Sequence, residues 1–109
     1  MKWIYLIIAI ITEVIATSAL KESQGFSKII PSIIVVVGYS LTFYFMSLTL
    51  KEMSVGITYA IWSGMGILLI SLIGYFRYNQ VLDSAAILGM SFIAMGIIIL
   101  RFFSKSIEV

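Results

Sequence analysis

Residues 3–20 read WIYLIIAIITEVIATSAL, an apolar run broken by one charge, Glu13, close to its middle. Wound as an α-helix, these 18 residues rise about 27 Å, close to the roughly 30 Å of hydrocarbon in a bilayer. An acid at that depth costs on the order of 2.5 to 3.5 kcal/mol on insertion scales, so its usual explanation is function. The bland alternative is a hydrogen-bonded structural Glu that carries a proton. Lys2 before the run and Ala16-Thr17-Ser18-Ala19 near its end loosely imitate a cleavable export signal. Glu13 falls inside the would-be apolar region, so the segment is expected to be the first helix of the mature chain.

Working outward, the 109 residues are 61% hydrophobic and 11% charged, whereas soluble domains carry about 25% charged residues. Mean hydropathy is +1.14, and the solvent implied is lipid. There is no Cys and no His, which excludes disulfide frameworks, thiol catalysis, zinc sites and imidazole relays together. Proton handling therefore falls to carboxylates or tyrosines. The net charge of +2 comes from basic residues scattered between apolar spans; they form no patch for nucleic acid and read as anchors to lipid headgroups. One intramembrane acid without a nucleophile, a ligand set or a second acid offers no reaction path, so neither an enzyme nor a metal or other cofactor is expected.

Three more apolar runs follow, over about residues 29–50, 55–76 and 84–103. Each is long enough to cross a membrane, and too long and continuously apolar for a barrel strand. Lipid offers the backbone no partners, so these runs are expected to be helices, making residues 1–109 one all-α transmembrane domain of four helices. Pro31 falls in the first turn of the second, where its missing N–H is harmless. Asp83 precedes the fourth and is expected to cap it. Short connections make consecutive helices antiparallel neighbours. Lys2, Lys51, Arg101 and Lys105 fall on one side, against Lys21, Lys28 and Arg77 on the other. Four basic residues against three give almost no positive-inside bias, so insertion in both orientations and pairing as an antiparallel homodimer are expected.

On a 3.6-residue period Glu13 shares a face with Leu6, Ala9, Thr17 and Leu20, and the small Ala9 and Ala16 are expected to leave space beside the acid. The third run supplies Tyr59, Trp62, Ser63 and Gly66 at helical spacing, and the second supplies Tyr39 and Phe43. Aromatic faces attract desolvated cations by about 2 kcal/mol each or more, so an acid with rings at the same depth suits a lipophilic cation. Ordinary interface packing is the alternative for the rings. Gly64 and Gly66 either admit a close neighbour or act as a hinge. Gly89 and Gly96, seven residues apart, mark the fourth helix as the dimer interface, and a second copy also supplies cavity volume that four helices lack.

These residues resemble the small multidrug resistance family of bacterial exporters over essentially the whole chain. The matching stretches are Ile4-Tyr5-Leu6, Glu13-Val14-Ile15-Ala16-Thr17, Gly25-Phe26, Pro31-Ser32, Tyr59-Ala60-Ile61-Trp62-Ser63-Gly64-Met65-Gly66 and Gly89-Met90. The resemblance implies an antiparallel homodimer in the bacterial plasma (inner) membrane, exchanging protons for toxic cations with Glu13 as the shared site. It implies too that Tyr59 and Trp62 line that site, that Tyr39, Phe43 and Thr17 border it, and that Ser63 contacts the Glu13 carboxylate. The family's guanidinium-exporting branch typically has Trp where this chain has Ala16, and Gly where it has Ile10, which favours the branch exporting quaternary ammonium and aromatic cations. Guanidinium or polyamine export, a passive cation pore and an accessory membrane subunit are the alternative readings.

Overall fold

Every apolar run forms a helix, because only internal hydrogen bonds can satisfy a backbone in hydrocarbon. The computed structural model of the chain describes residues 1–108. Its helices are α1 (Lys2–Glu22), α2 (Ile29–Thr49), α3 (Val55–Arg77) and α4 (Ser84–Phe103). All four are long and apolar enough to cross a membrane. Pro31 lies in the first turn of α2 and Asp83 caps α4, its Oδ1 accepting from the Ala86 N–H at 2.8 Å. At its end α1 runs through Lys21 and Glu22, with Ser23 as the C-cap. The Ser23 hydroxyl donates to the Leu20 carbonyl and accepts from the Phe26 N–H. The chain then turns through Gln24, Gly25 and Phe26, all with positive φ.

The chain divides into two compact units, Met1–Glu52 and Met53–Val109. In the first, Leu6, Ala9, Ala16 and Ala19 of α1 and Val35, Gly38, Thr42 and Met46 of α2 are buried. Antiparallel pairing follows from the contacts, since Thr12 meets Thr42 while Ala16 meets Gly38. A Cβ placed on Gly38 would stand 2.8 Å from that of Ala16 and 3.3 Å from the Thr12 carbonyl oxygen. Ile4, Ile7, Ile11 and Ile15 instead form an exposed stripe. The small Ala16 and Gly38 let the two helices approach closely, and association in a bilayer comes from close packing and not from hiding apolar surface.

In the second unit Gly64 lies against α4, where an added Cβ would meet Ile97 Cδ1 at 2.8 Å. Of the two roles open to that glycine, close packing is the one occupied here, and α3 is continuous from Val55 to Arg77. No residue of α4 is buried, and nothing lies within 4 Å of a Cβ built on Gly89 or Gly96. The segment after α4 returns to the start of α3. There the Ser54 N–H donates to the Ile107 carbonyl at 2.7 Å, the Ser54 hydroxyl donates to the Ser106 carbonyl at 2.9 Å, and Met53 pairs with Glu108.

Replacing Gly38 should separate α1 from α2. Gly38→Leu is expected to destabilise the protein by about 1–3 kcal/mol, as overpacking does, seen as earlier thermal unfolding in detergent. Gly56→Ala, where a Cβ meets open space, should leave unfolding unchanged or slightly later.

Candidate functional site

Glu13 stands half-buried on α1, one turn from the contact of Ala16 with Gly38. Its Oε1 accepts a hydrogen bond from the Thr17 hydroxyl at 2.8 Å, a bond between positions i and i+4 of one helix. The Thr17 oxygen lies 2.6 Å from the Tyr39 hydroxyl on α2. A threonine has one hydroxyl proton, and here it serves the carboxylate, so Tyr39 must donate to Thr17. The three groups form a directed chain, Tyr39 to Thr17 to Glu13. Were the carboxyl group to carry a proton on Oε1, both hydroxyls could turn and run the chain the other way without moving a heavy atom.

The second oxygen has no such support. Oε2 of Glu13 is buried and has no hydrogen-bond partner among the described residues. An ionised carboxylate accepts at both oxygens, and leaving one of them dry is costly in a low-dielectric setting. The carboxyl group is thus half-satisfied, with Oε1 held by Thr17 and Oε2 without a hydrogen bond among the described residues.

A second hydroxyl pair joins the same helices on the other side of the acid. Thr12 Oγ1 and Thr42 Oγ1 are 2.8 Å apart, Thr12 also reaching the carbonyls of Ile8 and Ala9 and Thr42 that of Gly38. Glu13 therefore sits between two hydroxyl bridges from α1 to α2. The space expected beside Ala9 and Ala16 is absent: both side chains are fully buried, because small side chains draw helices together in lipid. A groove of about 360 Å³ lies instead along the helix pair, lined by Thr12, Ile15, Ile33, Val37, Gly38 and Leu41.

The rings suggested by the sequence come in two pairs. Tyr39 and Phe43 on α2 lie with centroids 6.4 Å apart and planes 21° from parallel. Tyr59 and Trp62 on α3 meet edge to face at 5.6 Å. Phe43 and Tyr59 are exposed, whereas the indole nitrogen of Trp62 is buried and without a hydrogen-bond partner among the described residues. The Ser63 hydroxyl donates to the Tyr59 carbonyl within its own helix at 2.7 Å, and Gly66 is buried. Sequence reasoning overlooked Thr12, Thr42, Gly38 and Thr58. Their only signal was a hydroxyl or a glycine inside an apolar run, which has no meaning until the register of the helices is known.

The family described as Small Multidrug Resistance protein matches residues 1–93. The chain belongs to the small multidrug resistance family. It is 48% identical to the quaternary ammonium compound-resistance protein QacE of Escherichia coli over 104 residues, 95% of this chain and 94% of that protein. With QacF of Klebsiella aerogenes, also a quaternary ammonium compound-resistance protein, identity is 50% over the same shares of the two chains. A multidrug transporter of Pseudomonas aeruginosa is 47% identical over 96% of both chains. Four apolar helices and this membership make the chain a multi-pass membrane protein.

A hydrogen bond to a charged group contributes about 1.5–3 kcal/mol, and the Thr17 hydroxyl makes one to Glu13 Oε1. Thr17→Val is therefore expected to weaken binding of tetraphenylphosphonium at fixed pH by about tenfold or more. Tyr39→Phe, one bond further away, should weaken it less, and Thr17→Ser should restore most of the loss. Equilibrium dialysis of the purified variants gives all three values.

Proposed function

We propose that the protein is a proton-coupled antiporter that expels lipophilic and quaternary ammonium cations across the bacterial plasma membrane. The observation that carries this reading is the divided carboxylate of Glu13, one oxygen held by the Thr17–Tyr39 chain and the other buried and unpaired. That unpaired oxygen takes either a proton or a positive guest. Ligands that exclude each other from one group are thermodynamically opposed, so each lowers the other's affinity by the same factor. If the site opens to one side of the membrane at a time, a proton entering from one side and a cation leaving to the other are coupled without any second site.

In this reading Tyr59 and Trp62 face the cation, Tyr39, Phe43 and Thr17 border it, and Ser63 lies within reach of the acid. Gly66 gives α3 the freedom to bend, and Gly64 joins it when α3 leaves α4. The chain works as an antiparallel homodimer joined through the Gly89 and Gly96 face of α4, whose Cβ positions meet open space in one copy. The names of the relatives, quaternary ammonium compound-resistance protein and multidrug transporter, agree with such cargo. Ala16 and Ile10, where the guanidinium-exporting branch typically has Trp and Gly, support the multidrug branch.

Reconstitution in liposomes tests the proposal. A proton gradient is expected to drive a quaternary ammonium cation uphill, and a cation gradient to drive protons the other way. Glu13→Gln should abolish both fluxes. Cation flux without proton movement would make the protein a passive pore, and no flux in either direction would make it an accessory subunit.

A further inference from the structure

A hydroxyl group on a membrane helix has a ready acceptor in the carbonyl one turn back, and this chain uses it throughout. Ser40, Thr42, Thr49, Ser63, Ser71 and Ser91 each donate to the carbonyl four residues earlier, at 2.7–2.9 Å. Thr17 departs from the pattern and serves Glu13 instead. Thr58 departs from it with no hydrogen-bond partner for its hydroxyl among the described residues.

Thr58 is fully buried, and its Oγ1 makes no hydrogen bond with any described residue. The usual acceptor is present, since the Ser54 carbonyl takes the Thr58 N–H at 3.0 Å, but the hydroxyl is not turned towards it. One turn further along α3, the buried Nε1 of Trp62 is a second donor without an acceptor. Positions i and i+4 share a helix face, so the two unsatisfied donors stand on one side of α3. Tyr59, whose ring meets Trp62, adjoins them. Indole N–H donates only, and a threonine hydroxyl can donate as well. The missing group is therefore an acceptor.

We propose that Thr58 is a specificity-determining residue of the cation site: with Trp62 it presents a donor pair to an acceptor oxygen carried by the substrate. This rests on the reading of Tyr59 and Trp62 as cation-facing. The favoured cargo is then an organic cation with an ether, carbonyl or hydroxyl oxygen close to its charged centre, beyond the bare alkyl and aryl ammonium ions. A site with a dry donor favours the ligand that satisfies it, while a ligand with only methylene there leaves the donor as it was.

Matched probes separate this from a structural role. They are alkyl-benzyl-dimethylammonium ions of equal length, one with an all-methylene chain and the others with an ether oxygen replacing one methylene at successive positions. An ether must leave water to bind, so it should weaken binding wherever no donor meets it. In the wild type one position of the series is expected to escape that loss. In Thr58→Val, close in shape but without the hydroxyl, the ether-to-methylene ratio of dissociation constants at that position should rise about fivefold or more. Thr58→Ser should restore the wild-type ratio, and taking the ratio against the all-methylene ion within each protein cancels any general change in binding. Thr58→Ala gives the same comparison if the Val variant does not fold. Equal ratios in wild type and variant at every position would overturn the proposal. The reading of Glu13 fails by a different sign, namely undiminished binding of the all-methylene ion to Glu13→Gln.

Discussion

A carboxyl group halfway along a helix in hydrocarbon must obtain from the protein, or from a ligand, what water would have supplied, and the first helical pair is arranged around that need. Thr17 and Tyr39 supply one oxygen of Glu13 with a donor. The other oxygen is left without one. A fully satisfied carboxylate would be a structural residue, and a fully unsupported one would be too costly to keep. In the proposed antiporter, half-satisfaction holds the anion in reach while leaving a place for a proton or a cation.

That arrangement depends on backbone proximity more than on the acid itself. Tyr39 reaches Thr17 because α2 lies close to α1, and α2 lies close because Gly38 offers no side chain where Ala16 arrives. The bridges Thr12–Thr42 and Thr17–Tyr39 join the same two helices close to that contact. In lipid, where apolar side chains gain little by meeting each other, such small-residue contacts and hydroxyl bridges are what fix one helix on another. The second unit repeats the principle with Gly64 against Ile93 and Ile97. Its α4 is left without a buried residue, a face that a second copy can use.

Much of this was legible in the sequence, because the bilayer constrains length and polarity so strongly. The four spans, Pro31 in a first turn, Asp83 as a cap and the isolation of Glu13 all follow from residue type and spacing. The pairing of hydroxyls was not, since it depends on the register of α1 against α2, which nothing in either helix alone specifies. Ala9 and Ala16 show the same limit: small residues beside an acid read equally well as open space or as a contact surface, and only the neighbour's position decides. The return of residues 106–108 to Ser54 and the unpaired hydroxyl of Thr58 are tertiary facts of the same kind.

The claim at the centre is that proton and cation exclude each other at one side chain, and proton release on binding measures it directly. Purified protein in weakly buffered solution is titrated with tetraphenylphosphonium at a series of pH values while a pH indicator counts the protons set free. The account predicts release of protons in step with cation bound, and no release from Glu13→Gln. Tight cation binding by the unaltered protein with no proton displaced at any pH would contradict it.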